Sequence, residues 1–569
     1  MVNTREAATK PSGVWALLTH PALWLVICVA VLVLLVRQIV NLPIGPMYWD
    51  TFVYFDAVQR IDMGQIPMVD FSAPVGPLGY YAIWIMTKLF PNGQPLLLAQ
   101  WSMLLVTAPV MLIISSDVAG RSRLAAAALM IPFWVFAILP FNVIAYFSYP
   151  GVDGFGIYNR HAAQLLYLTA ATVFFIPGSG KKILLLSILV LALFLSKITA
   201  FLSGGLILAF ALLAGRITLR EALITAAICG VAVGLLQLVS GITLAYVDDI
   251  VALAAANSGA LLPRFMTATS QHLGVLAAGG ATMVFLFFDD LVPRADARWT
   301  ANAPKYLIYR IFDRDWLWIG TLLFAGLFFE TQNTGSHGFI FVWPGLLFVW
   351  LRRQPLSEPR RSILLVLIAF VCIPSLMGVL HKAGRALGVA PTYDAIENNN
   401  LRTLGNVTTK PVFMKRAAET ERWYADNAEE IAKLAARGEL ISFVLYSVPS
   451  YQVLWLRVHD QLVDAVRTYE AENDVRFNSI LALDFTNILP YLMDRDAPKH
   501  VAIGADPSRT VGTLDADAIA AVEATDLIVH RKCPVTSGTQ ELYRIYEPAL
   551  SGRRTIELTP CFDAYIKQE

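Results

Sequence analysis

Long apolar runs, separated by short polar segments, organise the first two thirds of the chain. They lie at 21–40, 96–116, 124–146, 162–177, 183–196, 198–214, 221–244, 265–288, 316–329, 338–351 and 362–380. A helix needs about 20 apolar residues to cross the hydrocarbon of a bilayer. The pattern therefore predicts an α-helical polytopic membrane domain. A shorter run, 76–90, holds Gly79, Tyr80, Tyr81 and Lys88 and reads as a short span, a re-entrant piece or an interfacial helix. Depending on whether it crosses, about eleven to thirteen spans are expected. After residue 380 the pattern changes. A polar linker at 383–411 precedes a helical pattern at 412–437, closed by Gly438. Short β-like runs follow at 440–446, 480–484, 500–504 and 526–530, and 541–567 reads as one or two more strands. The expected organisation is a membrane domain, 1–380, and a soluble α/β domain, 381–569.

Composition sharpens this division. The 569 residues are 56% hydrophobic and 15% charged, against roughly 25% charged in an average soluble protein. Of the 87 charged residues, 47 lie beyond Val379. A disordered chain, a collagen-like fibre and a small disulfide scaffold are excluded. The net charge of +1 provides no field for nucleic acid, so none is expected as a partner. Arg5 and Lys10 precede the first run, which is too long for a signal peptide. The loops holding Arg121 and Arg123, Lys181 and Lys182, Arg216 and Arg220, and the stretches 294–314 and 352–361, are basic. Basic loops stay cytoplasmic. The N-terminus is then cytoplasmic, and loops 42–75, 147–160, 245–263 and 330–337, with the tail, face outward. Cys28, Cys229 and Cys372 lie in apolar runs as packing residues, whereas Cys533 and Cys561 in an outward tail form either a disulfide or two free thiols.

The first outward loop is the richest in candidate chemistry. It reads as a helix over 51–63, capped by Asp50, stopped by Gly64 and lying in the membrane interface. Asp50, Asp56, Asp62 and Asp70 bring four carboxylates to the membrane surface, where charge is costly without a partner or a task. Asp56 and Asp70 are substrate-binding candidates. Their plainer readings are a surface ion pair with Arg60 and an Asx turn. Asp62 is expected to face solvent. Lys197 lies between two apolar runs at the outward end, where a lysine either snorkels or meets an anion. Tyr158, Arg160 and His161 open another run, and arginine suits phosphate because its fork donates in parallel. Glu330, Gln332, Asn333 and His337 form a polar loop suited to sugar hydroxyls, or simply to water. Lys382 and Arg385 follow the last span on the side that the orientation rule leaves poor in positive charge. Asp248 and Asp249 could bind a metal or substrate from an outward loop, and their plainer reading is a solvated pair.

Several of these segments resemble the GT-C glycosyltransferases, polytopic enzymes that use polyprenyl-phosphate-linked sugars and include bacterial lipid A aminoarabinose transferases and protein O-mannosyltransferases. The resembling features are Asp50 after the first span, the short helix, Gly64-Gln65-Ile66-Pro67 with Asp70-Phe71, and Gly76-Pro77-Leu78 with its aromatics. Ser196-Lys197 is similar to the family's Ser-Lys or Thr-Lys that reads a donor phosphate. The resemblance covers roughly 1–380. It implies that Asp50 is the essential acid of the first periplasmic loop and that the enzyme works in a bacterial inner membrane with its tail periplasmic. The family's neighbouring second acid is absent, since Thr51 follows. A divalent cation is thus allowed but not indicated, no metal ligands are assigned, and no organic cofactor is implied.

The expected function is inverting transfer of a hexosyl or pentosyl group from a polyprenyl-phosphate sugar to a glycan, lipid or protein acceptor on the periplasmic face. The competing class, a polytopic transporter or lipid-linked-glycan flippase, predicts internal repeats and midplane charges, and no repeat is visible. A membrane acyltransferase needs an intramembrane histidine, for which His272 is the only weak candidate. The Gly178-Ser179-Gly180-Lys181 fragment lacks the remainder of a phosphate loop.

Overall fold

The computed structural model describes residues 20–145, 148–256, 261–291, 307–333, 335–353, 356–441 and 448–568. Among these, Ser179–Ser196, Leu219–Ser240, Leu273–Leu291 and the long helix beginning at Glu358 are each long and apolar enough to cross a bilayer. Pro95–Ser102 and Leu104–Ala119, bent by 43°, make a fifth candidate together. Pro21–Val36, Arg123–Ile138, Ile198–Leu213 and Ile340–Arg352 are apolar but shorter. The lower bound of eleven is reached only by adding these, Ile157–Phe175 and Asp315–Glu330. Pro77–Leu89 has 13 residues, about 20 Å of helix, too short to span alone.

Ile157–Phe175 is the central helix. Except for Tyr158, every residue in it is buried, which explains why its sequence is less apolar than a lipid-facing helix. Its polar groups are satisfied inside the protein. Gln164 Nε2 donates to the Phe136 carbonyl, and the Thr169 and Thr172 hydroxyls donate to carbonyls one turn back. At one point the bundle is interrupted by a single residue. Lys197 is extended and separates Ser179–Ser196 from Ile198–Leu213.

The tail folds as an α/β unit and grips the first loop. Strand β1 (Leu42–Pro43), from the first loop, pairs in parallel with β3 (Val407–Thr409), with Leu42 opposite Val407. Strand β2 (Asp394–Ala395) pairs antiparallel on the other side of β3. A second sheet contains β4 (Ile480–Leu483), β5 (Leu527–Arg531), β6 (Arg554–Thr559) and β7 (Phe562–Ile566) in the order β4-β5-β7-β6, with only β4 and β5 parallel. The helical pattern at 412–437 appears as Pro411–Asp426 and Ala428–Arg437, ending at Gly438 with φ 71°. Residue 380 falls inside a helix that continues to Val389. Cys533 and Cys561 form a disulfide. The expected strand at 440–446 lies largely outside the described residues.

Two local expectations are corrected. Residues 500–504 form no strand. Instead, the His500 and Ile503 amides donate to the carbonyls of Asp70 and Ser72 in the first loop, at 2.6 and 3.0 Å. The loop helix, Asp50–Asp62, does not lie on the membrane interface, because Thr51 to Arg60 are buried beneath the tail. Trp49 packs on Phe485, Phe52 on Trp455 and Phe55 on Tyr491, with centroids 4.7–5.1 Å apart. Gln59, Gln65 and Arg60 donate to the carbonyls of Arg495, Ala497 and Pro498. The aromatic residues of this helix thus serve a core shared by the first loop and the tail.

Candidate functional site

Close backbone contacts bring the first loop against two other segments. A β-carbon on Gly45 would lie 2.0 Å from the Val152 carbonyl oxygen, so the loop can meet the 150s only through glycine. Gly76 plays the same role at the helix break. Its amide donates to the Ser196 carbonyl at 3.0 Å, and a β-carbon there would lie 2.2 Å from the Leu195 oxygen. The third segment, at Gly335, joins through Asn159, whose Nδ2 donates to its carbonyl at 2.8 Å. The first loop, the 150s loop, the 330s loop and the Lys197 break thus converge at the tail-bearing end of the bundle.

Asp50 sits in this convergence. It is the first residue of the loop helix, with Trp49 at the capping position, so it is not the cap expected from sequence. No donor among the described residues hydrogen-bonds its carboxylate, which is only partly covered. Burial pushes the carboxyl up to about 7, and the Arg160 guanidinium draws it back. Tyr54, one turn along the helix, lies in electrostatic reach of Asp50, Tyr158 and Arg160. Lys197 supplies the positive charge. Its Nζ donates to Asn159 Oδ1 at 2.6 Å, to the Gln332 carbonyl at 3.2 Å and to Asn333 Oδ1. It lies 5.1 Å from the centre of the Tyr158 ring. Burial presses its ammonium down to about 7, opposed by the Glu330 charge. Its partners are therefore neutral oxygens, with no carboxylate in direct contact.

The remaining predicted residues divide by what already occupies them. Arg160 is fully enclosed. Its Nε donates to Gln100 Oε1, its Nη1 to Asn142 and the Phe155 carbonyl, and its Nη2 to the Asp153 carbonyl. It acts on Asp50 through space and has no open fork for a phosphate. His161 Nε2 lies 3.0 Å from the Gln100 carbonyl oxygen, inside the protein. Lys382 donates to the carbonyls of Asn142 and Ile144 and pairs with Asp153 at 3.1 Å. Arg385 donates to the Ser148 carbonyl. Both cations hold the loop between Pro140 and Asp153. Gln332 offers its carbonyl to Lys197 and its Oε1 to Arg264. His337 is buried beside Phe136, with neither ring nitrogen bonded, and burial drives its imidazole well below the ordinary value.

The other acids of the first loop, and Glu330, are engaged. Asp56 and Arg60 are a pair at 2.8 Å, but both are about fully buried, so the expected surface pair is a core pair. Asp70 closes its turn by accepting the Ile66 amide and also meets Lys499 at 3.0 Å. Asp62 is exposed, as expected, and there meets Lys88 and Trp84 Nε1. Glu330 binds the Ser336 hydroxyl and His272.

Sequence reading missed Gln100, Asn142 and Asp153, the groups that fix Arg160 in place, whereas Asn159, which holds Lys197, lies within the Tyr158–His161 candidate stretch. The available signal was a polar residue inside, or just beyond, an apolar run. Among the described residues, no group of three or more His, Cys, Asp or Glu side chains is placed to hold a metal ion.

No family model and no curated protein matches the chain. Among solved structures it is similar to ArnT from Cupriavidus metallidurans in the apo state (14% identity over 95% of this chain and 97% of that one, TM-score 0.39). It is likewise similar to the same protein bound to undecaprenyl phosphate (14% identity, the same coverage, TM-score 0.40). A further similar structure is the archaeal oligosaccharyltransferase AglB from Archaeoglobus fulgidus, in complex with an inhibitory peptide and a dolichol-phosphate (12% identity over 96% and 74% of the chains, TM-score 0.36).

Proposed function

We propose that the chain is a multi-pass membrane glycosyltransferase that moves a sugar from a polyprenyl phosphate to an acceptor hydroxyl at the periplasmic face. One observation carries the reading: a carboxylate with no donor and a lysine held only by neutral oxygens occupy one convergence of loops at the membrane surface. A polyprenyl-phosphate sugar brings its own leaving group, so the site needs one base and one cation. Asp50 takes the proton from the acceptor hydroxyl as the oxygen attacks the anomeric carbon. Lys197 neutralises the charge that grows on the departing phosphate. A single displacement by that oxygen inverts the anomeric carbon. Arg160 keeps its place through Gln100, Asn142 and the 150s loop and steadies Asp50 as an anion. Lys382 and Arg385 position the same loop and do not touch the donor. Gln332, Asn333 and Tyr158 line the phosphate side around Lys197. A chain of this design needs no organic cofactor.

The test is direct. Purified protein is incubated with a panel of radiolabelled polyprenyl-phosphate sugars, and label leaving the lipid is followed. Release by the native chain that disappears in Asp50→Asn is expected. Full release in that folded variant overturns the assignment of the base.

A further inference from the structure

The helix Ile242–Ala256 follows the candidate span Leu219–Ser240. Ile242, Tyr246 and Asp249 share one face of it by spacing. Ile242 and Tyr246 are buried, whereas Asp248 is exposed. That face looks onto the same break that carries Lys197. The Tyr246 ring packs on Phe194 at 5.5 Å, and its hydroxyl lies 3.0 Å from where a β-carbon on Gly76 would stand. Tyr246 also meets the backbone of Ile198, the residue after Lys197. Tyr80 lies in electrostatic reach of Tyr54, Tyr158, Tyr246 and Asp249, and its ring centre is 5.7 Å from that of Tyr54. A wall of tyrosines thus runs from Asp50 to a second carboxylate, passing Lys197.

Asp249 was expected to be half of a solvated pair. Instead it is half-buried, and its Oδ2 is enclosed without any hydrogen-bond partner among the described residues. The Ala73 amide and the neighbouring Asp248 charge are what the carboxylate otherwise feels. A buried carboxylate oxygen with no donor costs free energy. In a protein that lodges a ligand here, a hydroxyl satisfies it. The location favours the donor over the acceptor. Tyr246 meets the backbone of Ile198, next to the lysine assigned to the phosphate, Asp249 follows on the same helix face, and the sugar is bonded to that phosphate.

We propose that Asp249, with Tyr80 and Tyr246, forms a subsite that recognises one hydroxyl of the donor sugar. This rests on the reading of the site as a glycosyl-transfer centre. Asp249 accepts that hydroxyl's hydrogen bond and so selects the sugar, while Asp50 acts on the acceptor.

The full chain in lipid nanodiscs is given undecaprenyl-phosphate-linked monosaccharides. For the one that turns over, each monodeoxy analogue is then tested against native protein, Asp249→Ala and Asp249→Asn. Asp249→Ala is expected to raise the KM for the donor at least tenfold, with kcat within threefold. Asp249→Asn should recover part of the loss, because its amide oxygen still accepts. One deoxy donor should raise the native KM about tenfold yet change that of Asp249→Ala less than twofold, a cross-comparison that a purely structural role would not produce. An unaltered KM in Asp249→Ala, or deoxy penalties equal in variant and native protein, overturns the subsite alone. Absence of release from every donor by native protein overturns the transferase reading and the subsite with it.

Discussion

The two ends of the helical bundle treat charge in opposite ways. At the end away from the tail, four aspartates and four arginines cancel one another. Arg353 pairs with Asp289 at 2.6 Å, with Asp290 at 2.5 Å and with Asp315. Arg360 reaches Asp289, Arg352 reaches Asp313 and Asp315, and Arg216 closes on Asp313 at 2.9 Å. Trp318 Nε1 adds a hydrogen bond to Asp313. The network ties Leu273–Leu291, Asp315–Glu330 and Ile340–Arg352 to the long helix from Glu358. At the tail-bearing end, no described residue donates a hydrogen bond to the Asp50 carboxylate, and Lys197 meets neutral oxygens. Charges that neutralise one another complete a structure, whereas charges held singly are completed by a ligand.

Charge-removing substitutions at the two ends should therefore fail in different ways. The largest effect is expected from Asp50→Asn. Loss of a general base typically costs 10²–10⁴-fold, so transfer should fall by about three orders of magnitude, with native elution retained and no loss of thermal stability. Next is Arg353→Ala. Breaking a buried ion network leaves uncompensated charge and costs about 3–5 kcal/mol. We expect a clear drop in thermal stability in nanodiscs, with transfer per folded molecule near the native rate. A loss of transfer in Arg353→Ala without a loss of stability would erase the distinction between the ends.

The pH profile sharpens the contrast further. Asp50 must be ionised to act as base, and its carboxyl lies up at about 7. Lys197 must be protonated to neutralise phosphate, and its ammonium lies down at about 7. Activity should fall tenfold per pH unit on the acid side through loss of the base, and likewise on the alkaline side through loss of the cation. The kcat/KM profile is then a narrow bell centred near pH 7. Lys197→Arg, with its guanidinium charged throughout, should remove the alkaline limb and leave the acid limb in place.

Much of this was legible in the sequence because it depends on local pattern. The apolar runs marked the bundle, the charge shift marked the tail, and Asp50 and Lys197 stood out as charges beside hydrocarbon. Less legible was whatever depends on a distant partner. Asp56 and Arg60 carry the spacing of a surface pair, and nothing nearby in sequence reveals that Pro498 and the tail cover them. Arg160 has the chemistry of a phosphate clamp, but Gln100 and Asn142, 60 and 18 positions away, occupy its donors first. Residues 500–504 have strand composition, yet their amides find carbonyls in the first loop. Asp249 looked solvated because the Ala73 and Tyr80 segment that covers it lies about 170 residues upstream.

The smallest expected effect is also the one with the most diagnostic sign. An aspartate whose folded-state pKa is raised penalises the folded protein once it ionises. The unfolded value is about 3.9 and that of folded Asp50 is about 7, so the penalty grows as pH rises from about 4 to beyond 7. A dry site would place it near 4 kcal/mol. Because the carboxylate is partly open to water, about 1–2 kcal/mol is the reasonable scale. Asp50→Asn should thus melt higher than native protein at pH 8, and the gap should shrink at pH 5, where native Asp50 is largely protonated. Asp315→Asn, the same change at the opposite end, should melt lower at pH 8, because it weakens two arginine contacts. If both substitutions shift melting in the same direction, Asp50 is held as firmly as Asp315, and the tail-bearing end has no charge reserved for a substrate.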